Sequence, residues 1–480
     1  MLFSSIPFII LFLPVTLLLY YICPFIKGRN FILLVASLLF YAWGEPRFVL
    51  IMICSVTANY GMGLLTGNAG FTASKRKLFL ALGVIINLSV LFFFKYLGFF
   101  GQMLNSLISA FYISGSELTV HKFILPLGIS FYTFQSMSYL IDVYRKPEMV
   151  QRNILDLGLF ISFFPQLIAG PIVRYGDIYG QIKKRGHSID MFARGIERFI
   201  TGLAKKVLLA NTFAEAVDGI VALPYQNVPS AYLFLAVVSG ILQIYYDFSG
   251  YSDMAIGLGN MFGFRIMENF NYPLAATSLT EFWRRWHISL STWFRDYLYI
   301  PLGGNRRGKT RLVFNTLLLF SLVGLWHGAA YNFIFFGFVC GLVIILEKSL
   351  DVKKFLNDNK NKLSRFIKET GAHFFYVGLC ICLFMYFRLD VKNSFLFYSN
   401  LFKFTRKVPV PPDVLLMADT RFYIMLVFGI AFSFPWWRKL RIPWNVPALC
   451  VKYAMLLGLF VMSFGTLTSD AYNPFIYFRF

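Results

Sequence analysis

Charged residues are scarce in this chain of 480 residues: Asp, Glu, Lys and Arg together make up 14%, against about 25% in an average soluble protein. Apolar residues make up 58%, whereas about 45–50% is usual. Because a soluble chain of this length could not bury so much apolar surface, an ordinary cytosolic enzyme is excluded, as are disordered and collagen-like chains. The composition predicts a polytopic membrane protein.

Acidic residues are the scarcer of the charged types. The chain has 23 Asp and Glu against 45 Lys and Arg, which gives a formal net charge of +22. Such a balance also occurs in proteins that bind nucleic acid. In an apolar chain it favours basic loops held at the anionic cytoplasmic leaflet. We therefore predict that membrane lipids, and not nucleic acid, are the anionic partner.

The residue patterns of several common chemistries are missing. The six cysteines and five histidines show no spacing that is typical of a zinc, iron or redox site. No G-x-S-x-G motif is present, which argues against a covalent serine mechanism within this chain. We predict no metal and no tightly bound cofactor.

Long apolar runs fill much of the sequence. A membrane-spanning helix needs about 20 apolar residues, and the first run has no preceding basic residue or cleavage site, so we interpret it as a retained span. The fold prediction is an all-α polytopic membrane protein with roughly eleven transmembrane or re-entrant helices. The candidate spans are 3–22, 30–44, 48–66, 78–100, 232–248, 313–346, 372–389, 420–436 and 446–466, and weaker runs lie at 101–113, 123–144, 155–173 and 195–212.

Some of these runs are not expected to form simple spans. The 313–346 run is too long for one span and should hold a bend or two shorter helices. Pro165 and Pro171 should break the weaker run that contains them. Asp247 and Asp253 follow another apolar stretch, where they either line a polar cavity or pair with basic residues, and pairing is favoured.

Basic residues near the first spans set the predicted orientation. Lys27 and Arg29 follow the first run, and Lys75, Arg76 and Lys77 follow the third. Both loops are therefore predicted to be cytoplasmic, which places the N-terminus outside.

His327 lies inside the long 313–346 run, within Gly324-Leu325-Trp326-His327-Gly328. An ionisable group at membrane depth should face a protein interior or a cavity. Histidine exchanges a proton near neutral pH, which suits a general base. The two glycines leave room for the close approach of a substrate or a helix. Position alone does not separate a catalytic from a structural histidine.

His287 lies in the segment 281–297, which contains three tryptophans. If this segment is one helix, Trp283, Trp286 or His287, and Leu290 share one face. The tryptophans would then form a belt at the membrane interface. Because a neutral interfacial helix does not need a histidine, His287 is a second candidate for chemistry.

The segment 303–310 matches the pattern G-x-x-x-x-G-K-T. A phosphate-binding loop of this type requires a preceding strand in an α/β domain, and the flanks here are an aromatic helical stretch and a membrane span. Nucleotide hydrolysis is therefore excluded. Arg306, Arg307 and Lys309 either attract the phosphates of a cytosolic donor or only hold the next span at the cytoplasmic side, and the second interpretation is favoured.

Four motifs follow one another in an order that resembles the membrane-bound O-acyltransferases. They are the segment 165–174, the Trp286-His287 pair, the segment 295–304 and Trp326-His327-Gly328. The resemblance is closest to their bacterial alginate O-acetyltransferase group, and 473–480 shares it. It extends over nearly the whole chain, 1–480, which we interpret as a single domain, and it is most specific at 281–328.

The resemblance implies a tunnel through the membrane, with His327 as the catalytic base and His287 as a second catalytic histidine. We expect other residues of the motifs to line the tunnel or to position the substrate. These are Trp286, Trp326, Arg295, Asp296 and Asn315.

The reaction implied by the resemblance moves an acyl group, most of all acetyl, from a cytosolic thioester such as acetyl-CoA for O-acetylation of an extracytoplasmic polysaccharide. An extracytoplasmic or membrane-anchored esterase-like protein is the expected acyl-accepting partner, and a bacterial plasma membrane is the expected location. Two alternatives stay open. One is D-alanyl transfer toward teichoic acid, and the other is a transporter or flippase without acyl chemistry, although no internal repeat supports transport.

Overall fold

The computed structural model describes residues 1–111, 123–306, 308–357, 361–404, 409–410, 412, 418–439, 446–469 and 473–475. Helices dominate these residues, and no strand occurs among them. The described chain forms two compact units, one made of Met1–Ile196 and Ala255–Met267, the other of Glu197–Met254 and Glu268–Phe480.

The α-helices are numbered here in chain order. They are α1 (Leu13–Ile22), α2 (Ile26–Gly44), α3 (Val49–Thr66), α4 (Ala73–Leu91), α5 (Leu97–Ala110), α6 (Ile129–Arg145), α7 (Ile154–Ser162), α8 (Phe164–Leu167), α9 (Tyr175–Lys183), α10 (Ile189–Ala204), α11 (Asn211–Val221), α12 (Ser230–Met261), α13 (Leu279–Arg285), α14 (Ile288–Phe294), α15 (Lys309–His327), α16 (Tyr331–Ser349), α17 (Val352–Asn357), α18 (Lys362–Phe384), α19 (Val391–Leu401), α20 (Thr420–Phe432) and α21 (Val446–Ser469).

Short π- and 3₁₀-helical segments extend or connect these helices. The π-helical segments are Phe8–Phe12, Phe92–Tyr96, Lys205–Ala210 and Arg295–Tyr299, and the 3₁₀ segments are Pro147–Met149, Tyr225–Asn227, Pro273–Ala275, Met385–Phe387 and Pro435–Lys439.

Within the described residues, 8 helical stretches are long and apolar enough to cross a membrane. Many of their large apolar side chains are exposed, as in α4 and α21, and apolar patches of this extent are rare on soluble proteins. The prediction of an all-α membrane protein is therefore confirmed. The stretches are Ile26–Gly44, Val49–Thr66, Ala73–Ala110, Ser230–Met261, Lys309–His327, Tyr331–Ser349, Leu363–Phe387 and Val446–Ser469.

The first unit packs its helices through polar pairs and a broken segment. Asn59 of α3 and Asn87 of α4 exchange side-chain hydrogen bonds of 3.1 and 2.7 Å, a contact that joins helices in an apolar environment. Where Pro165 and Pro171 lie, α7 ends at Ser162 and only the one-turn α8 follows before α9. The predicted break in this run is confirmed.

In the second unit, the predicted long run is two helices. α15 ends at His327, and α16 begins at Tyr331. A Cβ atom added to Gly324 would lie 2.1 Å from the Phe333 carbonyl oxygen, and one added to Gly337 would lie 2.2 Å from the Phe320 carbonyl oxygen. These glycines let the two helix backbones touch, so the close approach predicted at Gly324 is that of a helix.

The carboxylates of α12 pair with basic side chains, as the sequence favoured. Lys206 Nζ lies 2.7 Å from Asp247 Oδ1, and both side chains are buried. Asp253 pairs with Arg198 at 2.8 Å and with Lys205 at 2.6 Å. Pairing keeps these charges from being stranded in an apolar interior.

Candidate active site

The start of α13 is set by a capping box that can be read from the sequence. The Ser278 hydroxyl accepts a hydrogen bond of 3.1 Å from the Glu281 amide, and the Glu281 carboxylate accepts one of 3.0 Å from the Thr277 amide. This reciprocal pattern satisfies amides that otherwise have no partner at a helix start. Arg285, one turn further along the same helix, forms an ion pair of 2.6 Å with Glu281.

A second carboxylate fastens α13 to α16. Glu347 of α16 accepts hydrogen bonds from the Leu279 amide at 2.6 Å, from the Thr280 amide at 2.9 Å and from the Thr280 hydroxyl at 2.6 Å. A negative charge at a helix N-terminus is stabilised by the unpaired amides and by the helix dipole. Glu347 therefore fixes the helix that precedes His287 against the helix that follows His327.

The chain bends at His287, where the backbone φ is 44°. α13 ends two residues earlier and α14 begins one residue later, so the prediction of a single helix through this segment is wrong. A left-handed backbone at a non-glycine residue is costly and needs compensation. Trp283, Trp286 and Trp293 are buried in the second unit, so they do not form a belt at the membrane interface.

The compensation comes from Asn269, a buried residue that the sequence analysis missed. Its Oδ1 accepts hydrogen bonds from the Ser289 amide at 3.2 Å and from the Ser289 hydroxyl at 2.8 Å, and it lies 3.2 Å from His287 Nδ1. Its Nδ2 donates to Ser252 Oγ at 3.0 Å. No periodic pattern or motif marks Asn269 in the sequence.

This network favours one tautomer of His287. The Ser289 amide can only donate, so the Asn269 oxygen must face it, and this oxygen favours the tautomer of His287 that carries its proton on Nδ1. In that tautomer Nε2 is unprotonated. It is buried and makes no hydrogen bond to any residue that the structure describes.

His327 ends α15 and its ring lies near that of His287. The two ring centroids are 6.5 Å apart, and the indole of Trp326 lies 5.0 Å from His327 and 5.8 Å from His287. Phe387 packs edge-on against His327 at 5.0 Å. The structure thus brings together both histidines and both tryptophans of the prediction.

An apolar cavity of about 80 Å³ lies beside the His327 ring. One water-sized group needs only about 10–15 Å³ measured in this way, so a small acyl group fits. Its ionisable lining groups, among the described residues, are His327 and the thiols of Cys340 and Cys380. The other lining residues are Ile241, Ile244, Leu274, Leu279, Phe282, Trp283, Trp286, Phe336, Leu383, Phe384 and Phe387.

Asn315 lies far from the histidine pair. It precedes His327 by three turns of α15, about 18 Å along the helix axis at 1.5 Å per residue. Its Nδ2 donates to the Gly304 carbonyl at 2.9 Å and to the Leu302 carbonyl at 3.4 Å. Asn315 therefore holds the loop at 302–304 in place, and its expected role in the tunnel or in positioning the substrate stays a prediction.

The remaining predicted residues lie on or beside that loop. Arg295 and Asp296 pair with each other at 2.7 Å, and the arginine side chain is more than half exposed. Arg306 and Lys309 are exposed, and Arg307 lies outside the described residues. Among those described, no group of three or more His, Cys, Asp or Glu could hold a metal ion.

The fold and the site define a helical membrane protein with a buried histidine pair beside an apolar cavity. A sequence profile of the membrane-bound O-acyltransferase family matches residues 146–387, which include both histidines.

Individual relatives agree with the profile. A protein named probable alginate O-acetylase AlgI from Pseudomonas aeruginosa is 47% identical over 352 residues, which cover 73% of this chain and 67% of the relative. A protein of the same name from Azotobacter vinelandii is 39% identical over 516 residues, which cover 100% of both chains. Peptidoglycan O-acetyltransferase from Helicobacter pylori is 37% identical over 383 residues, which cover 73% of this chain and 71% of the relative. The chain belongs to the membrane-bound O-acyltransferase family and is an O-acyltransferase.

Proposed function

We propose that this chain O-acetylates an extracytoplasmic polysaccharide, with acetyl taken from a cytosolic thioester such as acetyl-CoA and with His327 as the general base. The observation that carries the proposal is the pair of buried imidazoles 6.5 Å apart, one of which lines an apolar cavity. Relatives named for O-acetylation of alginate and of peptidoglycan support acetyl as the group and a polymer as the acceptor.

The proposed reaction begins with the thioester carbonyl in the apolar cavity. His327 removes the proton of an acceptor hydroxyl, and the oxygen attacks the carbonyl carbon. The tetrahedral intermediate collapses as the carbon–sulfur bond breaks, and the thiolate leaves with the proton that His327 had taken. A positioned general base contributes about 10²–10⁴-fold to such a rate.

His287 is proposed to orient the acceptor through a second hydroxyl, because the reacting hydroxyl has a single proton and His327 takes it. Because the favoured tautomer directs its Nδ1 proton to Asn269, Nε2 can accept a hydrogen bond but cannot donate one. This favours contact with a second hydroxyl of the acceptor over the stabilisation of an oxyanion, which needs a donor. Phe248 packs edge-on against the ring at 4.6 Å and helps to hold its orientation.

The acetyl group is proposed to reach the polymer through a partner. The basic loops near the first spans support a cytoplasmic donor side, with the N-terminus outside, in the plasma membrane of a bacterium. The absence of a G-x-S-x-G motif in the chain supports an acyl-accepting, esterase-like protein on the outer side. Polysaccharide is the final acceptor in this proposal.

The test is transfer of label by purified protein in nanodiscs, supplied with radiolabelled acetyl-CoA and host membrane extract as the source of partner and polymer. Label that appears in a polymer only when the protein is present supports the proposal. Label that appears instead from a carrier-bound D-alanyl donor supports D-alanyl transfer. Substrate movement without thioester consumption would contradict acyl transfer and support transport. Empty nanodiscs with the same extract are the control.

A further inference from the structure

The first unit contains a cleft of about 570 Å³ that the proposed reaction does not use. It lies where α9 ends, α10 begins and the chain leaves α12. Four of the lining residues are Lys or Arg, and no lining residue is acidic. The lining residues are Gln181, Lys184, Arg185, Gly186, His187, Ser188, Met191, Arg194, Asn260, Gly263 and Arg265.

Arg185 is the fixed cation of this cleft. Its residue exposure is 8%, and its guanidinium is held by neutral oxygens. Nε donates to the Tyr20 hydroxyl at 2.9 Å, and Nη1 donates to Asn30 Oδ1 at 2.7 Å. Nη2 is buried and makes no hydrogen bond to any described residue. A buried charge is costly unless it is paired, and the guanidinium also packs 4.3 Å from the Phe264 ring centroid, so Arg185 adds a fixed positive charge to the wall of the cleft.

The nearest carboxylate does not neutralise Arg185 by direct contact. Asp156 Oδ1 accepts a 2.8 Å hydrogen bond from Asn30 Nδ2, so the asparagine lies between the two charges. The back of the cleft is also positive, because Arg29 Nη1 lies 3.3 Å from His187 Nδ1. Burial, with the charges of Arg29 and Arg185, lowers the pKa of His187, so its imidazole is neutral at neutral pH and can accept from Arg29.

Three further cations lie at the exposed part of the cleft. The side chains of Lys184, Arg194 and Arg265 form no hydrogen bond or ion pair with the described residues, and all three residues are exposed. Guanidinium groups match the geometry of phosphate oxygens and bind them through two parallel hydrogen bonds. The cleft volume falls within the range of about 300–1,000 Å³ of small-molecule sites.

We propose that this cleft binds a phosphate-bearing ligand, with Lys184, Arg194 and Arg265 as the cations that contact it and Arg185 as a fixed positive charge in the wall. The phosphate can come from a soluble nucleotide or from the headgroup of an anionic phospholipid. Both present the same oxygens to the same three exposed side chains. The proposal does not depend on the reaction at His327.

The test measures anion binding by the full chain in nanodiscs. In one arm, nanodiscs of phosphatidylcholine alone are titrated with inorganic pyrophosphate and with CoA in a calorimeter. In the other arm, native mass spectrometry measures retention of phosphatidylglycerol by protein released from mixed nanodiscs. Saturable binding in the first arm supports a soluble ligand, and selective retention in the second supports a lipid headgroup.

Charge variants locate the binding. The double variant Arg194→Gln/Arg265→Gln should weaken binding by about tenfold or more, since hydrogen bonds to charged groups are among the stronger ones. The control Lys75→Gln/Lys77→Gln removes two exposed charges at the start of α4 and should bind as the wild type does. Equal loss in both double variants would overturn the proposal, because it would show a general charge effect.

A steric variant tests the cleft without a change of charge. A Cβ atom added to Gly186 meets no atom within 4 Å, and the same holds for Gly180 on α9, which does not line the cleft. Gly186→Leu should therefore weaken binding while the matched Gly180→Leu does not, with both proteins folded. The absence of phosphate binding in both arms, or unchanged binding by Gly186→Leu, would overturn the proposal.

Discussion

Removal of the Asn269 side-chain oxygen should disable His287 without touching either imidazole. In Asn269→Ala, the Ser289 amide and His287 Nδ1 both lose the acceptor to which they now lie at 3.2 Å. Each buried donor without a partner costs about 1–3 kcal/mol, so we expect the free energy of unfolding to fall by about 2–6 kcal/mol. The Ser289 hydroxyl can rotate to another acceptor and adds little.

The effect on turnover follows from the tautomer. Without the Asn269 oxygen, the Nδ1 proton of His287 has only the longer contact to the Ser289 hydroxyl, at 3.4 Å, to hold it, and Nε2 is no longer reserved as an acceptor for the substrate. We expect kcat to fall by about 10²-fold, the lower end of the contribution of a positioned acid–base group. The assay is label transfer from acetyl-CoA, normalised to the amount of folded protein in nanodiscs.

A control variant separates positioning from stability. Ser252→Ala removes the 3.0 Å hydrogen bond on the other side of the same amide and leaves the Asn269 oxygen in place. It should lower the free energy of unfolding while kcat stays near that of the wild type. Asn269→Asp keeps an acceptor for the Nδ1 proton and should recover part of the activity that Asn269→Ala loses. Wild-type kcat in folded Asn269→Ala would refute the reasoning.

Three further substitutions probe the elements that hold the site. Gly337→Ala should destabilise the α15–α16 contact by about 1–3 kcal/mol, because it overpacks the space between the helices. The control Gly458→Ala should not, because a Cβ atom added there meets nothing within 4 Å. Thermal unfolding measures the stability of both variants. Asp247→Asn removes the charge that pairs with the buried Lys206, whose Nζ still donates to the Pro474 carbonyl, and should cost about 1–3 kcal/mol; a wild-type melting temperature would contradict this. Glu347→Gln weakens the hold on α13 and should cost about 1–3 kcal/mol together with a fall in kcat, so unchanged values of both would contradict its role.

The sequence predicts most of the long apolar helices and two of the breaks between them, because both depend on local composition, but 78–100 and 101–113 form one stretch, Ala73–Ala110. The 313–346 run is too long for one bilayer crossing, and the structure divides it after His327. Pro165 lies in the first turn of α8, where proline is tolerated, and no helix continues through Pro171. The pairing of Asp247 and Asp253 with basic side chains follows from the cost of an unpaired charge in an apolar interior.

The site is less predictable because tertiary contacts decide it. The residue pattern of 281–297 does not predict the left-handed backbone at His287. The bend depends on Asn269, which lies 18 residues away in the chain. The burial of three tryptophans likewise depends on what packs against them. Asn315 shares a helix with His327, yet three turns separate them. The capping box at Ser278 and Glu281 is the one support of the site that the sequence does show.

The most direct test of His327 as the general base is the rate of acetyl transfer by His327→Ala, with His373→Ala as the matched control. His373 is another histidine of the same unit, where its ring lies 3.0 Å from the Ala276 carbonyl oxygen. At equal amounts of folded protein, His327→Ala should lose about 10²–10⁴-fold in turnover, and His373→Ala should stay near the wild-type rate. Near-wild-type transfer by His327→Ala would contradict the mechanism.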